Sequence, residues 1–312
     1  MPNTRIYAAD TGGLALINHR NDGLLVNKKW HLMRHQRSKS RSARTNSLQA
    51  NFHTSPQTNN MASNLSSPSS STSTFLPPEF FDKQTLLSLS LLLGLLLAAL
   101  AASRRILDPS TPARLRALFI WHAFDALIHF VFEGSFLWHV FFSSIPAKEA
   151  RALEYFHPDP HNFLGYTDRV HGAQAGGATP FAQLWMVYAK ADRRWAGVDL
   201  SVVSLELLTV LVVGPLAVWV CYDIARKNLR YNIVMIIIAT SEIYGGFITF
   251  CPEWLVGNIN LDTSNFMYKW IYLFLFNTIW VWIPLYAIYV ACVDIADAFR
   301  VRAAVEEAKK IK

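Results

Sequence analysis

Three cysteines in 312 residues, Cys221, Cys251 and Cys292, are too few, too far apart and too deep in apolar stretches for a disulfide framework or a CxxC metal site. Charged residues are scarce as well, at 16% against 52% hydrophobic. That balance is apolar even for a globular protein, and it points to several membrane spans. The net charge of +7 lies entirely in residues 1–60, where nine Lys/Arg meet only Asp10 and Asp22. The remaining residues hold twenty basic and twenty acidic side chains, so they offer no basic face for a phosphate backbone, and no nucleic-acid partner is expected. GxSxG, P-loop and dinucleotide fingerprints are missing, which removes the common hydrolase and nucleotide chemistries.

Residues 1–78 are polar and end in SNLSSPSSSTSTFLPP, a composition that cannot bury enough apolar surface to offset its ordering entropy. A disordered extension is expected there. Its Arg-rich opening resembles a mitochondrial transit peptide but lacks a long amphipathic pattern. Five apolar segments follow: Thr85 to Ser103, a span within Leu115 to Ile145, Leu200 to Tyr222, Tyr231 to Phe250, and Tyr268 to Val293. Each is long enough to cross roughly 30 Å of hydrocarbon at about 1.5 Å per residue. The predicted fold is therefore an all-α integral membrane protein, five transmembrane helices around an intramembrane ligand cavity over residues 79–300, with a charged tail at 301–312. Between the second and third spans, PFAQLWMVYAKADRRW predicts a short interfacial helix opening at Pro180, with Leu184, Val187 and Tyr188 on one side.

Lys and Arg cluster after the first span (Arg104, Arg105, Arg114, Arg116), after the third (Arg226, Lys227, Arg230) and in the tail, whereas Cys251 to Tyr268 carries none ahead of Lys269. This asymmetry predicts a cytoplasmic C-terminus and a lumenal N-terminus. The basic first 60 residues then lie on the wrong side, a conflict that translation from Met61 would remove. The final KKIK looks like a dilysine endoplasmic-reticulum retrieval signal.

The second span carries His122, Asp125, His129 and Glu133, spaced three, four and four apart and so on one helical face. Ionisable groups at membrane depth are costly and usually face a bundle interior where they handle substrate or protons. Glu206 in the third span, Glu242 in the fourth, and Asn277 with Trp280 in the fifth add polar groups from other helices. Carboxyls and an imidazole in one dry chamber can act as donor and acceptor at once, and an indole face suits a transient cation. The set suits proton-in, proton-out chemistry on an apolar substrate, such as moving a C=C bond. Each group also has a plainer role: His129 with Glu133 as a helix tie, Glu206 as a structural partner, Trp280 as packing. Glu242, beside Gly245 and Gly246, reads as a helix-packing position. The stripe has metal-ligand types, but no Glu-x-x-His motif recurs elsewhere, so neither metal nor cofactor is expected.

The motifs IHFVFEG, LWMVYAKADRRW, SLELLTVLVVGPLAVW, EIYGG and FNTIWVWIP, at these intervals, closely resemble the emopamil-binding protein family, the EXPERA-domain sterol Δ8-Δ7 isomerases, over roughly residues 85–300. The resemblance implies a five-helix endoplasmic-reticulum membrane fold that binds sterols in a cavity open to the bilayer, in contact with membrane lipid and compatible with a homodimer. It also implies site roles: His129 and Glu133 deliver a proton to the sterol C9, Glu206 takes one from C7, and Asn277 and Trp280 hold the catalytic group and stabilise the C8 cation. Tyr188 and Asp199 fall in matching supporting segments, and substrate contacts are expected from Asp125, His122, Tyr188, Asp199 and Tyr244. The chain departs from the animal enzymes at His122 and Asp125, where those are uncharged, at Gly246, where they have an acid, and in a longer Lys148–Thr179 loop. The expected function is cholestenol Δ8-Δ7 isomerisation; the alternatives are isomerisation or cyclisation of another isoprenoid, or a non-catalytic sterol-binding or chaperone role.

Overall fold

The computed structural model describes residues 78–153 and 155–311, so the N-terminal extension, the Met61 start and the last residue of KKIK lie outside the described residues. Six main helices form: α1 Lys83–Ile106, α2 Ala113–Phe142, α3 Pro180–Ala189, α4 Leu200–Ala225, α5 Tyr231–Val256 and α6 Met267–Lys310. All but α3 are long and apolar enough to cross a membrane. The leucines of α1 are interrupted only by Ser88, Ser90 and small residues, and the helix closes on Arg104 and Arg105, cations suited to its negative C-terminal end. Pro112 and Pro180 set two helix starts where a missing N–H costs nothing, and Asp199 caps α4 by accepting from the Ser201 and Val202 amides at 2.9 and 3.0 Å.

The spans pack α1 on α2, α2 on α4, α4 on α5 and α5 on α6. Trp280 of α6 returns to Trp121 of α2, ring centroids 5.3 Å apart, which closes the circuit. Apolar clusters fill the space between the helices. One joins Leu118, Phe119, Val220, Met235, Ile238 and Val290; another joins Phe136, Val140, Leu184, Trp185, Val202 and Val203. Large apolar side chains such as Leu97, Leu211, Ile233 and Phe247 face outward, far more greasy surface than a water-facing monomer exposes.

Glycine sets two of the close approaches. A Cβ on Gly214 of α4 would lie 3.1 Å from the Phe130 ring and 3.3 Å from His129 Cβ, and one on Gly245 of α5 would lie 2.8 Å from Leu205 Cδ1. Without these side chains α4 can rest directly on α2 and α5 on α4.

The helical expectation needs three amendments. A two-stranded antiparallel ribbon, β1 Ser144–Pro146 on β2 Arg169–His171, lies in the α2–α3 connection, with Ile145 opposite Val170. The charged tail is no separate element, since α6 continues through it to Lys310. Three spans also contain π-helical turns, at Ile128–Glu133, Thr209–Val213 and Met267–Leu275. Such turns are rare and concentrate at functional sites, and here each adjoins a residue of the polar cluster.

A buried acid and imidazole cluster on an apolar cavity

The π turn of α2 carries His129 at its second position and Glu133 at its last, and it packs against the π turn of α4 just beyond Glu206. His129 Nδ1 meets Glu133 Oε2 at 2.6 Å. The same carboxylate oxygen accepts the Thr209 hydroxyl at 2.6 Å, and Thr209 Oγ1 lies 3.0 Å from Glu206 Oε2. A hydroxyl has a single proton to give. Thr209 Oγ1 also lies 3.1 Å from the Glu206 carbonyl. When Thr209 donates to one carboxylate, the other can hydrogen-bond to it only as a protonated donor, so Thr209 bridges the two acids.

On its other side, His129 Nε2 lies 3.3 Å from Asp125 Oδ1, which also accepts the indole N–H of Trp280 at 2.8 Å. Glu242 of α5 completes this side: its carboxyl, Asp125 and His129 offer one atom each within 4.8 Å of one another. Two carboxylates and an imidazole at that spacing form a donor set of the kind that can hold a divalent cation. No Lys or Arg among the described residues pairs with any of these acids.

Asn277 works one step away. Its amide donates to the carbonyls of Tyr272 and Leu273 at 2.9 Å each, and it lies 3.3 Å from the Tyr188 hydroxyl. Burial pushes the Tyr188 phenol well above its ordinary pKa, so it stays a neutral donor.

These groups border an apolar cavity of about 1490 Å³, larger than the roughly 300–1,000 Å³ of most small-molecule pockets. His129, Glu133, Glu206, Glu242, Asn277 and Trp280 line it, with Tyr188 and Thr209. The remaining expected residues fall elsewhere. Asp125 and His122 are fully buried behind the wall, Asp199 is spent on capping α4, and Tyr244 is 67% exposed on the outer side of α5. Sequence reasoning missed Thr209, although its spacing of three from Glu206 puts both on one face, and it gave Glu242 only a packing role.

A second polar cluster lies in the α3–α4 connection. Arg194, fully buried, donates to both Asp192 oxygens at 2.9 and 2.7 Å and to the Thr249 carbonyl at 2.6 Å, and it lies 3.9 Å from Glu253, which in turn binds Asn260. Burial holds the Asp192 carboxyl above its ordinary pKa, against the opposing pull of Arg194.

Fold and site together give a helical protein with five membrane-length apolar helices and a cluster of buried acids and an imidazole on an apolar cavity. Residues 180–291 match the EXPERA (EXPanded EBP superfamily) profile. It is 27% identical over 164 residues to the 3-beta-hydroxysteroid-Delta(8),Delta(7)-isomerase of Cavia porcellus, a match covering 53% of this chain and 58% of that protein. It is 28% identical over 215 residues to a probable enzyme of the same name from Oryza sativa subsp. japonica, covering 67% and 81%. An isomeliandiol synthase of Melia azedarach is 27% identical over 169 residues, covering 54% and 64%. The chain thus matches little more than half the length of the guinea-pig protein. The helix that bears His129 and Glu133 lies outside the profile match.

Proposed function

We propose that the protein is a sterol Δ8-Δ7 isomerase, and the observation that carries this reading is the unbroken hydrogen-bonded run His129–Glu133–Thr209–Glu206 along one wall of an apolar cavity. The His129–Glu133 pair gives a proton to the B-ring alkene at C9, which leaves a cation at C8. Glu206 takes the neighbouring proton from C7, and the C–H electron pair becomes the new double bond. Thr209 lets the proton return from Glu206 to Glu133, so the site resets without consuming anything. The indole of Trp280, pinned through its N–H by Asp125, stabilises the passing cation, while the apolar walls keep out water that would trap it.

Charge asymmetry in the loops supports a lumenal N-terminus and a cytoplasmic C-terminus, and the family resemblance supports the endoplasmic-reticulum membrane. A second reading, a related shift on another isoprenoid skeleton, is favoured by the comparable identity to isomeliandiol synthase.

Expression in a sterol-isomerase-deficient yeast, read by sterol profiling, tests both. Conversion of accumulated Δ8 sterols supports the first reading. Unchanged sterols with altered non-sterol isoprenoids support the second. Saturable sterol binding with no product at all would leave a binding protein.

A further inference from the structure

Glu242 has no part in the run just described, and packing does not explain it. Its side chain is only 8% exposed, lines the cavity, and has no hydrogen-bond partner on either oxygen among the described residues. The close contact between α5 and α4 is made one turn on, where Gly245 meets Leu205. Buried polar atoms are nearly always paired, and an exception calls for a functional explanation.

Its position supplies one. Glu206 communicates with the imidazole through Glu133 on the Nδ1 side, whereas Asp125 stands on the Nε2 side and Glu242 offers an oxygen within 4.8 Å of both Asp125 and the imidazole. One proton donor is thus flanked by two separate carboxyls that both open on the cavity. Resting on the isomerase reading, we propose that Glu242 is a second catalytic base, so that a single cation can lose its proton in either of two directions and give two positional alkene isomers.

The chemistry balances. The His129–Glu133 pair protonates the alkene, whose π electrons form the new C–H bond. A C–H bond facing Glu242 then breaks, its electrons form a C=C bond other than Δ7, and the proton goes to a Glu242 oxygen. Asp125, Glu242 and His129 each offer an atom within 4.8 Å of the others, so the proton can return to His129 by way of Asp125. No oxidant, reductant or co-reactant enters.

The test uses the full chain in microsomes of isomerase-deficient yeast, with zymostenol as the probe and products resolved by gas chromatography–mass spectrometry. Wild type is expected to give Δ7 sterol with a second alkene isomer. Glu206→Gln should lose the Δ7 product by roughly 100-fold, a typical general-base contribution, and still form the other isomer. Glu242→Gln should lower the ratio of that isomer to Δ7 by at least about tenfold, and Glu242→Asp, which keeps a carboxylate, should restore part of it. If Δ7 is the sole product of wild type and Glu206→Gln makes nothing, the second base is overturned while the isomerase reading stands. If wild type converts no zymostenol, both fall.

Discussion

Among the described residues, the buried ionisable clusters around Arg194 and His129 are built on opposite rules. Around Arg194 each charge is answered: the guanidinium is forked onto Asp192, reaches the Thr249 carbonyl and approaches Glu253, whose oxygens bind Asn260. Around His129 four acids share one imidazole and no Lys or Arg pairs with them, while Glu242, one Asp125 oxygen and His129 Nε2 are left without hydrogen bonds among the described residues. A saturated network has nowhere to put another proton, so it can only hold structure. An unsaturated one is costly to bury and retains value only if its protons move.

Substitutions sharpen that contrast. The largest effect is expected inside the cavity: Glu133→Gln should lower turnover by roughly 10³-fold, and Glu206→Gln the Δ7 product by roughly 100-fold, with normal insertion and abundance in microsomes. Full activity in both would break the comparison. In the connecting cluster the loss should appear in stability. Arg194→Met leaves Asp192 buried without its partner and should cost about 3 kcal/mol, seen as a lower thermal midpoint in detergent. An unchanged midpoint would show that this cluster carries no load.

Thr209 tests the bridge itself. Thr209→Val, nearly isosteric, should slow turnover by about tenfold, the loss of one bridging hydrogen bond, and change the pH dependence of the rate; Thr209→Ser should recover most of it. A Val variant with an unaltered pH profile would mean that protons do not pass this way.

The smallest effect lies outside the spans. Ser110, by side chain and amide, and then Lys227 hold the Asp108 carboxyl down at about 2, below its ordinary 3.8. Because its folded pKa is depressed, its contribution is present above the ordinary value and fades as the pH falls toward about 2. Asp108→Asn should flatten that part of the thermal-midpoint profile and leave turnover unaffected at neutral pH.

The spans and the stripe were legible for a simple reason. Membrane length and a three-or-four-residue spacing are one-dimensional properties, so Thr85–Ser103 and the row from His122 to Glu133 could be read directly. Asn277 and Trp280 were likewise legible as a pair on one face. Thr209 was not, since a threonine in an aliphatic helix is unremarkable until a carboxyl from another helix arrives beside it. Asp199 and Tyr244 erred the other way. One was needed to cap a helix and the other turned outward, and neither choice leaves a mark in spacing.

The sequence by itself determined five membrane-length helices, their order, and which helix faces carry ionisable groups, because periodicity and transfer free energy act along a single chain. Only the tertiary structure decided which of those groups meet. His129 and Glu133 sit in one π turn and Glu206 just ahead of another, and Gly214 and Gly245 let α2, α4 and α5 close upon one another. Contact between side chains on separate helices depends on rotation and approach of whole elements, and those are settled by packing across the bundle.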